Sequence, residues 1–423
     1  MIKIYNQNEI SIQEILERSE QTVDVEGIVS DIIKNVKENG DKALVEYCKK
    51  FDGAVDDIIE VTEEEIEEAF KEVDTELIGI LKEAKENITA FHSKQVRNSF
   101  IINEKDGVII GQKVLPIEKV GLYVPGGTAS YPSSVLMNCV PAKIAGCSEI
   151  VMVTPAKAGK VKPVILAAAK IAGVDRIFKI GGAQAVAALA YGTESVPKVD
   201  KIVGPGNAFV AEAKKQVFGM VDIDMIAGPS EILVVADSTN NPAHIAADML
   251  SQAEHDKMAT AVLITDSQKF AEEVSAELEK QIPLLPRAEI ARCSVDTNGK
   301  IIVTDNLVEA MDVSNILAPE HLEICVDNPF EYLGYVKNAG SVFLGKNCPE
   351  ALGDYFAGPN HTLPTSGTAR FSSPLSVDDF VKKTQFSYFS RQALCEVSQK
   401  VVRFANEEGL QAHAKSVSIR TEK

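Results

Sequence analysis

Short apolar strands alternate with helical segments through most of the chain, and this alternation restricts the possible folds more than any other feature. The first series of predicted strands lies at residues 120–124, 150–153, 176–180 and 201–203. The second series lies at residues 231–236, 261–264, 301–303, 322–326 and 341–344. Because strands that alternate with helices form βαβ units, the sequence predicts an α/β fold with two Rossmann-like parallel-sheet domains.

The segments outside these two series differ in kind. The N-terminal part is predicted to be helical, with a short amphipathic helix at residues 12–18 and a capping box formed by Thr62 and Glu65. An Asp106-Gly107 turn between two apolar runs predicts a β-hairpin. From residue 378 onward the chain is polar, and we predict a mostly helical C-terminal arm without a core of its own.

Charge and cysteine usage exclude several classes of protein. The chain has 61 acidic and 43 basic residues, for a formal net charge of −18, whereas nucleic acids and anionic membranes are bound through basic patches. The seven cysteines include no CxxC pair, which is typical of reduced thiols in the cytoplasm. There is no apolar signal segment at the N-terminus and no run of membrane-spanning length. We therefore expect a cytoplasmic protein with no nucleic-acid or membrane partner.

Three glycine turns follow predicted strands of the first series. They lie at residues 125–127 (Pro-Gly-Gly), 181–184 (Gly-Gly-Ala-Gln) and 204–207 (Gly-Pro-Gly-Asn). Glycine at the carboxyl end of a parallel strand lets a ligand approach the backbone, and Tyr123, Gln184 and Asn207 lie in or beside these turns. None of the turns has the GxGxxG dinucleotide fingerprint. A cofactor crevice and a set of ordinary βα turns therefore both remain open.

Two polar residues near the end of a predicted helix form half of a possible metal site. Gln252 and His255 are three apart, so on a helix they share one face and offer an oxygen and a nitrogen ligand. Such a pair suits zinc, although solvated side chains or a helix cap are the commoner origin of this pattern. A Gly- and Pro-rich loop at residues 353–365 adds Asp354 as a candidate ligand, and His361 as a ligand or substrate contact.

An adjacent carboxylate and imidazole, Glu320 and His321, precede a predicted strand. Imidazole is suited to proton transfer near neutral pH, and the neighbouring carboxylate can stabilise an imidazolium or act as a second base. A surface charge pair is the alternative interpretation. In the C-terminal arm, Glu408 and His413 lie in a polar segment that indicates no function by itself.

Taken together, the motifs resemble those of the histidinol dehydrogenase family over nearly the whole chain. The matching segments lie at residues 124–127 (Val-Pro-Gly-Gly), 181–185 (Gly-Gly-Ala-Gln-Ala), 193–202 (Thr-Glu-Ser-Val-Pro-Lys-Val-Asp-Lys-Ile), 204–207 (Gly-Pro-Gly-Asn), 227–231 (Ala-Gly-Pro-Ser-Glu), 252–256 (Gln-Ala-Glu-His-Asp), 318–322 (Ala-Pro-Glu-His-Leu) and 360–365 (Asn-His-Thr-Leu-Pro-Thr). So many long motifs in the same order are highly specific.

The resemblance implies an activity and a set of site residues. Members of the family oxidise L-histidinol through the aldehyde to L-histidine, the last step of histidine biosynthesis, with two NAD⁺ and one zinc per active site. His321 would be the base for the alcohol proton, and Glu320 would activate water. The implied zinc ligands, which also contact the substrate, are Gln252, His255, Asp354 and His413. Further residues implied to face the substrate are Ser230, His361 and Glu408. Residues implied to line the NAD site are Tyr123, Gln184 and Asn207.

The resemblance also implies a homodimer in which the C-terminal arm lends His413 and Glu408 to the site of the partner. The expected organisation is an N-terminal helical segment (1–21), a discontinuous α/β domain (22–122 with 230–375) carrying zinc and the catalytic residues, a Rossmann-like NAD-binding domain (123–229) and a C-terminal arm (376–423). Because histidinol carries an imidazole and an amine, we expect the metal to anchor the substrate rather than polarise its hydroxyl.

Other functions remain open at this point. The same fold would suit a paralogous zinc- and NAD-dependent dehydrogenase of another small alcohol. A zinc hydrolase without an organic cofactor would use Glu320 as its base. A metal-binding protein without catalytic activity would leave the glycine turns unexplained.

Overall fold

The computed structural model describes residues 1–16, 25–53, 57, 59–126 and 130–422. Its strands are β1 (Lys3–Asn6), β2 (Phe100–Lys105), β3 (Val108–Pro116), β4 (Lys119–Tyr123), β5 (Glu149–Val153), β6 (Arg176–Phe178), β7 (Lys201–Val203), β8 (Asp222–Ile223), β9 (Glu231–Ala236), β10 (Thr260–Thr265), β11 (Lys300–Val303), β12 (His321–Cys325), β13 (Ser341–Leu344) and β14 (Val381–Phe389). Its helices are α1 (Ile12–Leu16), α2 (Glu26–Tyr47), α3 (Glu63–Glu72), α4 (Thr75–His92), α5 (Pro132–Ala145), α6 (Pro163–Ala172), α7 (Gly182–Tyr191), α8 (Ala208–Val217), α9 (Pro242–Ala253), α10 (Gln268–Gln281), α11 (Ala288–Thr297), α12 (Leu307–Leu317), α13 (Phe330–Leu333), α14 (Glu350–Tyr355), α15 (Arg391–Glu407) and α16 (Gln411–Thr421).

The larger sheet is parallel and has the strand order β1-β11-β10-β9-β12-β13. Its central strands β9 and β10 are buried along their whole length, because helices cover both faces. Ile232 and Val234 pack against α9 and α10, whereas Leu233 and Val235 point to the opposite face and pack against α12. The near-continuous apolar sequence of β9 is typical of a strand that is buried on both faces.

The smaller parallel sheet has the strand order β6-β5-β4-β7-β8. Helices α5 and α6 cover one face, and α7 and α8 cover the other. Together the two parallel sheets confirm the predicted α/β class. No helix among the described residues is long and apolar enough to cross a membrane.

Helix α2 packs on the smaller sheet, whereas the predicted division of the chain assigns it to the domain of the larger sheet. That division grouped residues 22–122 with 230–375, but the apolar stripe of α2 (Val29, Ile33 and Val36) is buried against the core that contains α7. Strand β4 also crosses the predicted boundary at residues 122 and 123. The boundary at residue 21, the end of the predicted helix at 12–18 and Gly127 lie outside the described residues. The division into domains stays a prediction.

A third sheet is antiparallel, with the strand order β14-β3-β2. The hairpin of β2 and β3 around Asp106-Gly107 is confirmed, and Gly107 has the positive φ of 72° that such a turn requires. The prediction of a mostly helical arm missed β14. This strand pairs along all nine residues of β3, from Val381 opposite Pro116 to Phe389 opposite Val108, and that long-range pairing outweighs the polar local sequence.

Candidate active site

Glu320 and His321 lie where β12 begins, and both attach to the backbone of one residue on β9. The N–H of Glu231 donates to Oε2 of Glu320 at 2.9 Å, and Nδ1 of His321 lies 2.9 Å from the carbonyl oxygen of Glu231. Both side chains are buried, at 8% and 3% exposure of the residue. The alternative of a surface charge pair is therefore wrong.

The contact with Glu231 determines which nitrogen of His321 carries a proton. A carbonyl oxygen only accepts hydrogen bonds, so Nδ1 must be the donor in the neutral ring. Nε2 then presents its lone pair to the site, and it is buried without a hydrogen-bond partner among the described residues. A buried, unpartnered acceptor is costly to leave unsatisfied. The arrangement thus provides a base whose open nitrogen points away from the strand.

Three carboxylates face the His321 ring. Oε2 of Glu320 lies 3.7 Å from Nδ1, while Oε1 of Glu350 and Oδ1 of Asp354 each lie 3.8 Å from Nε2. Burial lowers the pKa of His321, but these negative charges outweigh it and raise the pKa to about 10. Burial raises the pKa of Glu320 to about 8. Burial and then the charge of Asp354 raise the pKa of Glu350 to about 7.

Glu350 was missed by the sequence analysis. It opens α14 and lies one helical turn before Asp354, so the two carboxylates share a face of that helix. Its position four residues before Asp354, a predicted ligand, could have identified Glu350 from the sequence. Ser251 also donates a hydrogen bond to Oε2 of Glu350 at 2.8 Å.

Gln252 and His255 lie beside this cluster. Helix α9 ends at Ala253, so His255 lies in the following turn and not on the predicted helix face. The N–H of His255 still donates to the carbonyl of Gln252 at 3.0 Å, which keeps the two residues together. Burial lowers the pKa of His255, and the negative charge of Asp354 partly opposes that shift.

The donor set around Gln252 fits a metal ion. Its side chain is buried, and Oε1 has no hydrogen-bond partner within the described part of the chain. An amide oxygen, an imidazole and a carboxylate from Gln252, His255 and Asp354 are ligands that zinc accepts. An orphaned buried acceptor is satisfied when it coordinates a cation.

His361 is held on both ring nitrogens. Nδ1 lies 3.0 Å from the carbonyl oxygen of Asp354, and Nε2 lies 3.1 Å from Oγ of Ser134 on α5. Burial lowers the pKa of His361. Ser134 was not predicted as a site residue. The contact joins α5 of the smaller sheet to the loop that carries His361. Ser230 is half-buried directly before β9, and its carbonyl accepts from Thr260 N at 3.0 Å.

Two residues predicted to contact zinc or substrate, Glu408 and His413, lie outside this buried cluster in the single chain. Glu408 lies at the C-terminal cap of α15, and His413 lies in the first turn of α16. Both side chains are exposed.

The predicted cofactor residues lie at the carboxyl edge of the smaller sheet. Tyr123 ends β4, and its hydroxyl accepts a hydrogen bond from Gly182 N at 3.0 Å. Burial raises the pKa of Tyr123 to about 12, so its hydroxyl is neutral. Gln184 is buried in the first turn of α7, and Asn207 caps α8 by accepting from Phe209 N. Hydrogen bonds of Tyr123 and Asn207 therefore hold the glycine turns at residues 181–184 and 204–207 in place.

A second buried acidic group lies behind Glu350. Oε1 of Glu323 accepts from Glu350 N at 2.6 Å, and its carboxyl pairs with that of Asp248 on α9. Cys325 donates weakly to Oε2 of Glu323 at 3.7 Å. Burial raises the pKa of Asp248, and burial with the charge of Asp248 raises that of Glu323 well above its ordinary value. The two carboxyls therefore retain a proton between them above the pH at which an exposed carboxyl ionises.

Comparisons with known proteins agree with this geometry. The family model for histidinol dehydrogenase matches residues 16–421. A histidinol dehydrogenase of Clostridium acetobutylicum is 59% identical over 393 residues, which cover 93% of this chain and 91% of the relative. One from Bacillus thuringiensis subsp. konkukian is 56% identical over 419 residues, covering 99% and 96%. The crystal structure of histidinol dehydrogenase from Elizabethkingia anophelis superposes with a TM-score of 0.94 at 40% identity, covering 99% of this chain and 98% of that one.

The parallel sheets, the buried Glu-His pair and these matches define an oxidoreductase. The chain belongs to the histidinol dehydrogenase family. The resemblance drawn from its motifs is thereby confirmed.

The buried Glu323 carboxyl makes stability depend on pH. In the unfolded chain Glu323 loses its proton near 4.5, whereas the folded protein retains it to higher pH. Between these two values the folded state binds more protons, so its stability falls as the pH rises through that interval. Glu323→Gln removes the titration and keeps an oxygen for Glu350 N. We expect the melting temperature of the variant, relative to that of the wild type, to increase from about pH 5 to about pH 9.

The control is Glu331→Gln at an exposed position of α13. Its melting temperature should follow that of the wild type at every pH. A difference between Glu323→Gln and the wild type that does not change with pH would contradict the assignment of a raised pKa to Glu323.

Proposed function

We propose that the protein oxidises L-histidinol through L-histidinaldehyde to L-histidine, a four-electron reaction that consumes one water and two NAD⁺. This is the last step of histidine biosynthesis, and we place it in the cytoplasm. The proposal is carried by one observation. Nδ1 of His321 is engaged by the Glu231 carbonyl, which leaves Nε2 open in a buried pocket beside a second base, Glu320.

In the first oxidation, Nε2 of the neutral His321 ring accepts the proton of the substrate hydroxyl as the C–H bond releases a hydride. Because the pKa of this ring is about 10, the neutral base is most abundant at alkaline pH. The carbonyl of Glu231 holds the ring in the required tautomer and orientation. The carboxylates of Glu350 and Asp354, each 3.8 Å from Nε2, stabilise the positive charge that the ring acquires.

In the second oxidation, Glu320 takes a proton from water, and the hydroxide adds to the aldehyde carbon. Glu231 N occupies Oε2 of Glu320, so Oε1 is the oxygen available to the water. Burial raises the pKa of Glu320 to about 8, so the carboxylate is a stronger base than an exposed one once it has ionised, which favours this step at alkaline pH. The addition product then releases the second hydride of the reaction, and loss of the remaining hydroxyl proton gives the carboxylate of histidine.

The residues proposed to hold zinc are Gln252, His255 and Asp354, with His413 of a partner subunit. Zinc, when bound, anchors the imidazole and amine of the substrate without taking part in electron transfer. Ser230 precedes β9 beside the bases, and His361 lies against Asp354. With Glu408 of the arm, these side chains would face the substrate and keep the aldehyde in place between the two oxidations.

Tyr123, Gln184 and Asn207 are proposed to line the site for NAD⁺, which accepts the hydride in each oxidation. The edge of a parallel sheet at the carboxyl ends of its strands is the usual ligand site of such folds. The glycine turns after β6 and β7 lie at this edge and allow a dinucleotide close to the backbone.

Two features of the C-terminal arm support a homodimer. Glu408 and His413 are exposed in the single chain, although the proposed site needs both. Large apolar side chains of the arm are also exposed, at 41% for Val401, 69% for Phe404 and 56% for Ile419. Such a surface is typical of a protein interface, and a second copy of this chain would cover it while receiving the two polar residues.

An assay of stoichiometry tests the proposed function. Purified protein should form two NADH for each L-histidinol consumed, measured by absorbance and by chromatography of the product. A chelator should abolish the activity, and added zinc should restore it. One NADH per substrate would contradict the four-electron reaction, and turnover without NAD⁺ would favour a hydrolase.

The role of His321 is tested by His321→Asn. The variant should lose about 10²–10⁴-fold in kcat because the open base is gone. Zinc per subunit, measured by atomic emission, should be unchanged. His244→Asn, at an exposed position on α9, is the matched control and should behave as wild type. Loss of zinc from His321→Asn would show that the ring belongs to the metal site instead.

Mixing two inactive variants tests the shared site. In a hybrid of Asp354→Asn and His413→Asn chains, one of the two sites combines an intact Asp354 with an intact His413 of the partner. Random exchange should therefore restore about a quarter of wild-type activity. A mixture of Asp354→Asn with His255→Asn is the control, and it should stay inactive because both defects lie in the same half of the site. No recovery in the first mixture would contradict a contribution across subunits.

A further inference from the structure

A buried ion pair lies beneath the glycine turn that follows β7. Lys214 on α8 and Asp224, which follows β8, form a salt bridge, and their side chains are only 2% and 1% exposed. Removing two charges from water is unfavourable, and an apolar pair of similar size usually stabilises a fold as well or better. The location of this pair therefore points to a role that apolar side chains could not fill.

The pair hydrogen-bonds to both backbone polar groups of Gly204, the N–H and the carbonyl oxygen. Oδ2 of Asp224 accepts from Gly204 N at 2.7 Å, and Nζ of Lys214 donates to Gly204 O at 3.0 Å. Oδ1 of Asp224 also accepts from Met225 N at 2.6 Å. Apolar side chains would leave both the N–H and the carbonyl of Gly204 without a partner, and a single charged side chain would leave one of them without a partner. The ion pair thus fixes the orientation of both peptide groups of Gly204.

Gly204 begins the turn at residues 204–207, and no residue with a side chain fits at this position. Its φ is 113°, and a Cβ atom there would lie 2.1 Å from the carbonyl oxygen of Tyr123. At the other end of the turn, Asn207 caps α8 by accepting from Phe209 N at 3.1 Å and Val210 N at 3.2 Å. Lys214 belongs to the same helix. The beginning of the turn is therefore tied through Lys214 to the helix that starts at its end.

We propose that Lys214 and Asp224 are positioning residues for dinucleotide binding. They hold the turn so that its backbone and Asn207 are preorganised for NAD⁺, without touching the cofactor themselves. This inference rests on the proposed function, which places NAD⁺ at this edge of the sheet. A purely structural pair would affect folding but would leave the affinity of a folded protein for NAD⁺ unchanged.

The double variant Lys214→Met/Asp224→Asn tests the role. It removes both charges, so no uncompensated charge is left in the core. We expect KM for NAD⁺ to rise about tenfold or more, because a small displacement of a binding group weakens binding strongly. The dissociation constant for NAD⁺ from titration calorimetry should rise by the same factor. KM for histidinol and zinc per subunit should stay at wild-type values.

The ion pair of Lys201 on β7 and Asp222 on β8 supplies a control in the same sheet, with a half-exposed aspartate. Its atoms are 2.8 Å apart, its lysine is also buried at 6% side-chain exposure, and it lies at the opposite end of β7 from Gly204. Lys201→Met/Asp222→Asn should leave both NAD⁺ parameters unchanged. An equal effect of the two double variants would mean that any loss of charge in this sheet weakens the site, and it would overturn the proposal.

The remaining outcomes separate this inference from the proposed function. If the wild type bound no NAD⁺, the proposed cofactor itself would be wrong. If the wild type bound NAD⁺ and the folded Lys214→Met/Asp224→Asn protein bound it equally well, the pair would serve the fold alone. Asp224→Asn is the second variant, with folding followed by circular dichroism. If neither variant folded while the control did, the pair would be a requirement of the fold, which also overturns a specific role at the turn.

Discussion

Both candidate bases depend on the backbone of a single residue, Glu231. Its N–H holds Glu320, and its carbonyl holds His321. Because β9 lies at the middle of the larger sheet and pairs directly with β12, the register of these two strands determines the position of both side chains. A shift of one residue would move His321 to the opposite face of the sheet. The buried apolar residues of β9 and β12, which pack on both faces, therefore fix the site as well as the core.

The same attachment gives the pocket its chemical character. With Nδ1 of His321 engaged, Nε2 of the neutral ring and Oε1 of Gln252 are buried acceptors that lack partners among the described residues. Carboxylates of Glu350 and Asp354 lie beside them. A pocket of acceptors and negative charge is complementary to cations and to hydrogen-bond donors. A zinc ion and the hydroxyl and amine of histidinol are groups of this kind, so the proposed ligands satisfy what the fold leaves open.

Features with a strong local pattern could be predicted from the sequence, and features that arise from long-range contact could not. Strands such as β9 and β10 are continuous apolar runs, and the Asp106-Gly107 turn specifies its own hairpin. Strand β14 has no comparable local signal because it forms by pairing with β3, more than 250 residues earlier. Ser134 contacts His361 only after two sheets come together. His255 was placed on a helix because periodicity does not locate a helix end to within two residues.

The two parts of the proposed site differ in how completely one chain builds them. At the smaller sheet, Lys214 of α8 and Asp224 after β8 hold both backbone polar groups of Gly204, and all three residues belong to the same chain. In the larger sheet, the bases and the residues around Gln252 come from the core, but His413 lies on an arm. That arm begins with a fully buried Phe380 and nine paired residues of β14, so its base is fixed although its apolar helix face is open. The proposed exchange of arms between two subunits requires a rigid attachment with an uncovered apolar surface, because a partner would both cover that surface and receive His413.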